Sequence, residues 1–167
     1  MSFFHWRLHQ AIGIALESRR LDVVSAIYKR TNNVSLLVYA MEAVMDSGSS
    51  LSYRDHVLRS LFPLFPQLTI GQGSEHIHAI TRLLVTLSDV SLTVPLLSSL
   101  VEKEKLLAYQ LAFDLVEGGS QDYLESIRSE LPAGDNVCMN VLDTHRVYSC
   151  SPLTRQQRRY MINFALY

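Results

Sequence analysis

The stretch from Leu106 to Val116, LLAYQLAFDLV, constrains the fold more than any other part of this chain. Only Gln110 and Asp114 interrupt its apolar residues, and charged residues stand on both sides of it. It is far shorter than the roughly 20 residues needed to cross a bilayer. Lys103, Gln110 and Glu117 recur at seven-residue intervals and Asp114 follows Gln110 by four. A helix over about Lys103 to Glu117 therefore gathers its polar groups into one narrow stripe and buries everything else. Such a helix needs neighbours on at least two sides, which makes it a core element. Gly118 and Gly119 in EGGS stop it where helices commonly end.

The rest of the chain supplies those neighbours. Helical spacing recurs from the amino terminus to about Leu131, while sustained period-two alternation and hairpin turn dipeptides are missing from the sequence. A first helix covers about Trp6 to Arg19, with Leu8, Ile12, Ala15 and Leu16 on one side. Gly13 in its middle costs about 1 kcal/mol relative to alanine, which points to close approach by another helix. A second runs from about Leu21 to Arg30 and, after Asn32 and Asn33, a third from about Ser35 to Met45. Ser52 and Asp55 have capping-box spacing and open a fourth helix, which Pro63 and Pro66 must bend or end. Further helices are expected over about Glu75–Leu87, Ser91–Val101 and Gln121–Leu131, the last terminated by Pro132.

Short helices joined by short connections imply successive antiparallel hairpins, the fifth paired with the sixth and the seventh with the eighth. The expected fold is all-α: stacked antiparallel helical pairs, α-solenoid-like, with eight to nine short helices. Clear self-similarity between the units is absent from the sequence, so this reading rests on helix length and hydrophobic facing. Residues 1–131 form the helical-repeat segment. Residues 132–167 have no usable period and form an irregular tail, with a short terminal helix after Thr154.

Composition narrows the function classes. A chain of 167 residues with 48% hydrophobic and 19% charged residues suits one globular domain. A formal net charge of −1 argues against a general nucleic-acid binder. Cys138 and Cys150 make no CxxC pair, so a reducing compartment is expected. The start, MSFFHWRLHQ, has no signal-peptide pattern and no apolar run is long enough for a membrane span, which predicts a soluble intracellular protein.

No constellation of residues reads as catalytic. His5 and His9 share a helical face at the spacing of zinc ligands, but Trp6 stands where a metalloprotease needs glutamate. His76 and His78 point to nearly opposite sides of a helix. In GQGSEHIH, His76 replaces the third glycine of a dinucleotide fingerprint, so Ser74 reads as a helix N-cap after a plain loop. Glu102 to Lys105 is a solvated corner, and Arg155, Arg158 and Arg159 form a small solubilising basic face. No serine lies in a nucleophile-elbow pattern. Catalytic, cofactor-binding and metal-binding residues are thus expected to be none, and partner-contacting residues are unassigned.

Two stretches carry a resemblance. QAIGIALESRRLDVV (Gln10 to Val24) and LLAYQLAFDLVEGGSQDYL (Leu106 to Leu124) resemble the 26S proteasome non-ATPase regulatory subunit 1 family, the largest base subunit of the regulatory particle. SLLVYAMEAVM and LSDVSLTVPLLSSLVEKEKLLAYQ resemble the same region in the same order. The similarity is expected over about Gln10 to Leu131, with the first nine residues and the tail outside it. Family proteins are several times longer, and nothing here resembles their glycine- and alanine-rich repeat ring, so the chain reads as a fragment of the amino-terminal helical region. The resemblance implies a rod-like stack of helical pairs without an active site or cofactor. It implies a scaffold for other regulatory-particle subunits and ubiquitin-handling proteins, supporting ATP-dependent degradation of ubiquitylated proteins in cytoplasm and nucleus. Nucleic acid, membrane and small-molecule substrates are not expected partners. A free-standing helical-repeat adaptor that binds a peptide or partner helix is the alternative.

Overall fold

A computed structural model describes residues 3–66 and 76–131, with side chains from Trp6 onward. The described residues form eight α-helices: α1 (Phe3–Glu17), α2 (Leu21–Thr31), α3 (Val34–Asp46), α4 (Leu51–Leu61), α5 (Ile77–Leu87), α6 (Val90–Lys103), α7 (Lys105–Gly118) and α8 (Gln121–Glu130). No strand occurs among them, as the missing period-two alternation predicts. The chain divides into two compact units, Met1–Gln67 and Leu68–Tyr167.

In the first unit α1 packs on α2 and α3, α2 on α3 and α4, and α3 on α4. Each helix thus meets the next and the next but one, the arrangement of a two-layered stack. The core is supplied by Ile12, Ala15 and Leu16 of α1, as their spacing predicts, and by Val24 of α2, Leu36, Leu37, Ala40, Met41 and Val44 of α3, and Val57, Leu58 and Leu61 of α4. Fully burying each leucine or valine contributes about 1.5–3 kcal/mol. Asn32 ends α2 in the left-handed region (φ 48°) and Asn33 caps α3, its side chain accepting from Ser35 N–H at 3.0 Å. The expected capping box is not formed. α4 starts at Leu51 after Ser50, so Ser52 already lies within the first turn, and Asp55 pairs with Arg54 at 2.9 Å. Pro63 ends α4 as expected, in a 3-10 turn over Phe62–Leu64.

In the second unit α7 packs on both α5 and α6, and α6 packs on α8. The principal contacts therefore run across the expected hairpins, α5 to α7 and α6 to α8, rather than within them. Leu107, Ala108, Leu111, Ala112, Leu115 and Val116 of α7 are buried, which is why that helix is apolar over so wide an arc. Two details differ from the expected polar stripe. Lys103 belongs to the end of α6, because the chain breaks for the single residue Glu104 (φ −145°, ψ 74°). Leu106, in the first turn, is 71% exposed instead of buried. α6 runs through Pro95; Ser91, whose carbonyl loses its partner, is exposed, so water can satisfy that oxygen. Buried Thr93 Oγ1 lies 2.6 Å from Tyr123 Oη and ties α6 to α8. Leu131 is extended (φ −68°, ψ 136°), as the residue before a proline should be. The tail, with its expected terminal helix, lies outside the described residues.

A local repeat appears at two turns. Ser88 ends α5 in the left-handed region (φ 49°), and Asp89 caps α6 by accepting from Ser91 N–H at 3.1 Å. Asn32 and Asn33 do the same before α3, and Val-Ser-Leu follows both turns, at Val34 to Leu36 and Val90 to Leu92. The self-similarity missing from the sequence reading is therefore present, but confined to a few turn residues.

Candidate functional site

Each unit carries a concavity among the described residues. The smaller, about 280 Å³, lies between α5 and α7 and is lined by His78, Thr81, Arg82, Val85, Asp114, Glu117 and Gly118. Asp114, expected in the exposed stripe of α7, is turned inward and its side chain is only 15% exposed. Gln110 Nε2 donates to its Oδ1 at 2.8 Å, and His78 Nδ1 lies 2.7 Å from its Oδ2. Oδ2 is sealed from water and accepts no well-formed hydrogen bond, so the imidazole stands at ion-pair distance without satisfying that oxygen. This pairing resembles half of a hydrolytic triad, yet the chemistry stops there. Thr81 donates its hydroxyl to Ile77 C=O at 2.9 Å, and no other hydroxyl or thiol lines the cleft among the described residues. His78 is 74% exposed, so the imidazole stays in water rather than in a desolvated site. The arrangement pins α5 to α7.

The larger concavity, about 520 Å³, lies between α1, α3 and the start of α4. Its floor is Gly13, Leu16, Ala43 and Val44, and its rim carries Glu17, Arg19, Tyr39, Tyr53 and the serine-rich connection Ser47–Ser50. Tyr53 Oη donates to Leu16 C=O at 2.5 Å and fixes α4 to the end of α1. Burial pushes the Tyr53 hydroxyl above the ordinary tyrosine pKa, with the nearby Arg19 charge opposing. The Arg19 guanidinium stands 5.0 Å over the Tyr53 ring, a cation–π distance. Arg19 itself is left-handed (φ 56°). Arg19 N–H donates to Leu16 C=O at 3.0 Å and Arg20 N–H to Ala15 C=O at 2.8 Å, the paired bonds of a Schellman helix end.

The expected close approach at Gly13 does not occur. A Cβ placed there would have Tyr39 Oη as its nearest neighbour at 4.0 Å, an ordinary contact. His9 packs edge-to-face on Tyr39, with centroids 4.5 Å apart and planes at 75°, which explains it as an aromatic contact. The side chain of His5 lies outside the described residues. No cluster of three or more His, Cys, Asp or Glu suited to a metal occurs among the described residues. His76 is the N-cap residue of α5, which therefore begins later than a Ser74 cap would place it; Ser74 lies outside the described residues, with Cys138, Cys150, Arg155, Arg158 and Arg159. The Glu102 to Lys105 corner is the α6–α7 junction. No helix among the described residues is long and apolar enough to cross a membrane. Sequence reasoning missed Arg19, Tyr39 and Tyr53, which are separated along the chain and share no motif.

Comparison with known proteins adds a family. The model described as 26S proteasome subunit RPN2, N-terminal domain, matches residues 3–161. That range corrects the expectation that the first nine residues and the tail lie outside the similarity. The 26S proteasome regulatory subunit RPN2 of Eremothecium gossypii is 35% identical over 130 residues, covering 75% of this chain and 14% of that protein. The 26S proteasome non-ATPase regulatory subunit 1 of Drosophila melanogaster is 33% identical over 130 residues, 75% of this chain and 12% of its own length. Homolog B of subunit 1 from Arabidopsis thaliana is 34% identical over 132 residues, covering 76% and 13%. The matched region is thus a small part of each relative.

Proposed function

The chain belongs to the family of the 26S proteasome subunit RPN2 amino-terminal domain, and from that premise we propose that it is a non-catalytic scaffold segment of the proteasome regulatory particle. In this reading it supports ATP-dependent degradation of ubiquitylated proteins, in cytoplasm and nucleus, through contacts with other regulatory-particle subunits and with ubiquitin-handling proteins. ATP hydrolysis and proteolysis belong to other subunits. The observation that carries the reading is the packing of each helix on the next but one, α1 on α3, α2 on α4, α5 on α7 and α6 on α8. Stacks of this kind present extended surfaces rather than enclosed reaction chambers. The α5–α7 cleft supports the same reading, since its one acid–imidazole pair faces no nucleophile among the described lining residues.

A tagged copy of the full chain, expressed in its own cells, is expected to co-sediment with regulatory-particle subunits. Recovery in free fractions alone, with regulatory particles intact in the same gradient, would refute incorporation. The second reading, a free-standing adaptor that binds a peptide or partner helix, is favoured by the α1–α3–α4 groove. It predicts partner capture in proteasome-free fractions.

A further inference from the structure

Two residues of the α1–α3–α4 groove stand where the opposite choice would be easier. Gly13 occupies the middle of a 15-residue helix, where glycine is unfavourable, and packing does not require it. Arg19 occupies the left-handed position that closes α1, where glycine would be preferred. Both line the same concavity. Exchanging the two preferences has a common result: α1 projects no side chain at position 13, and a long cationic side chain stands beside the same concavity.

The charges agree with an occupant. The guanidinium of Arg19 rests on the Tyr53 ring and meets no carboxylate among the described residues, whereas neighbouring Arg20 is held by Asp22 at 2.7 Å. Arg19 is thus positioned by an aromatic face with its donors still available. Glu17 lines the same concavity and repels a run of acids, so one carboxylate suits the groove better than several. A volume of about 520 Å³ lies within the range of clefts that hold a ligand.

We infer that this groove binds an extended peptide segment of a partner protein, its small apolar side chains seated over Gly13, Ala43 and Val44 and one carboxylate paired with Arg19. The bare backbone at Gly13 lets the segment lie close to α1. This surface goes beyond the scaffold reading and deepens the adaptor reading of the same groove, because it specifies the chemistry of a partner whichever assembly holds the chain.

The test uses the full chain and an array of labelled peptides about ten residues long, each with one central aspartate and varied small apolar flanks. A matched array carries lysine at the centre. Aspartate peptides are expected to bind with sub-millimolar Kd and lysine peptides to bind at least about tenfold more weakly. Arg19→Ala should remove that preference. Gly13→Ala should weaken binding by about tenfold or more without lowering the melting temperature, since a methyl group there strengthens the helix but fills the floor. Glu17→Gln should not weaken it. The inference is overturned if aspartate and lysine peptides bind alike, if Gly13→Ala and Arg19→Ala bind as the parent does, or if no peptide binds below about 1 mM. Proteasome co-sedimentation of the Arg19→Ala chain, measured in parallel, reports on the scaffold reading separately.

Discussion

Gly118 and Gly119 stand side by side at the end of α7, and the same added methyl group should move stability in opposite directions at the two positions. Gly118 is the last helical residue, and a Cβ there would rest 3.5 Å from the methyl groups of Val85, an ordinary contact. Gly118→Ala should therefore stabilise by about 0.5–1 kcal/mol, the usual return from replacing glycine in a helix. Gly119 has an extended conformation (φ −79°, ψ 154°) that alanine adopts freely, so backbone strain is not the issue. A Cβ there would lie 2.8 Å from the Leu115 carbonyl oxygen and 3.3 Å from side-chain carbons of Tyr123 and Leu124. That oxygen already accepts from Gly119 N–H at 2.7 Å, so relieving the clash means loosening the bond that closes α7. Overpacking of this kind costs about 1–3 kcal/mol, and the lost bond adds about 1. Reduced freedom of the unfolded chain offsets about 0.4–1 kcal/mol, leaving a net loss of about 1–3.6. Urea titrations followed by circular dichroism would measure both variants against the parent. Equal midpoints for Gly119→Ala and the parent, or a marked loss for Gly118→Ala, would show that the crowding at the α7–α8 turn is misread.

Two further pairs of measurements probe other joints. Asn33→Ala should destabilise by about 1 kcal/mol, because its side chain caps α3, whereas Ser50→Ala, at a cap position making no such bond, should be nearly neutral by the same titration. Burial raises the Tyr123 hydroxyl pKa above its ordinary value of 10.0, with the Thr93 hydrogen bond opposing. Its contribution to stability is therefore complete below that value and lost as pH rises through the higher folded one. Tyr123→Phe should cost about 1 kcal/mol at neutral pH and flatten the alkaline fall in stability, with Tyr53 leaving a residual slope.

The helices were legible because periodicity is a local signal repeated many times along the chain. α2, α3, α5 and α8 fall within a residue or two of their expected ranges, and most core positions of α1 and α7 follow from spacing, Leu8 and Leu106 excepted. Boundaries went astray where chemistry was read without its partner. Ser52 and Asp55 have the letters of a capping box, but the helix begins two residues earlier and Asp55 turns to Arg54. Asp114 looked like a member of an exposed stripe because its partner, His78, comes from another helix and no spacing within α7 reveals it. The groove was illegible for the same reason. Its floor and rim come from α1, α3, α4 and their connections, and only packing brings Gly13, Tyr39 and Tyr53 together.

The left-handed residues show how much of the groove is an ordinary consequence of joining helices and how much is particular. Arg19, Asn32 and Ser88 all take positive φ at the end of a helix, so the conformation itself belongs to the turns that reverse this chain. At two of those turns a short polar residue holds the position, and asparagine in particular tolerates it. At the third an arginine holds it, with no local bond from its side chain to the turn and its guanidinium on an aromatic ring from α4. The fold explains why a left-handed residue stands at position 19, but not why it is arginine. The inferred carboxylate contact would supply that reason, since Arg19 and Gly13 line the same concavity.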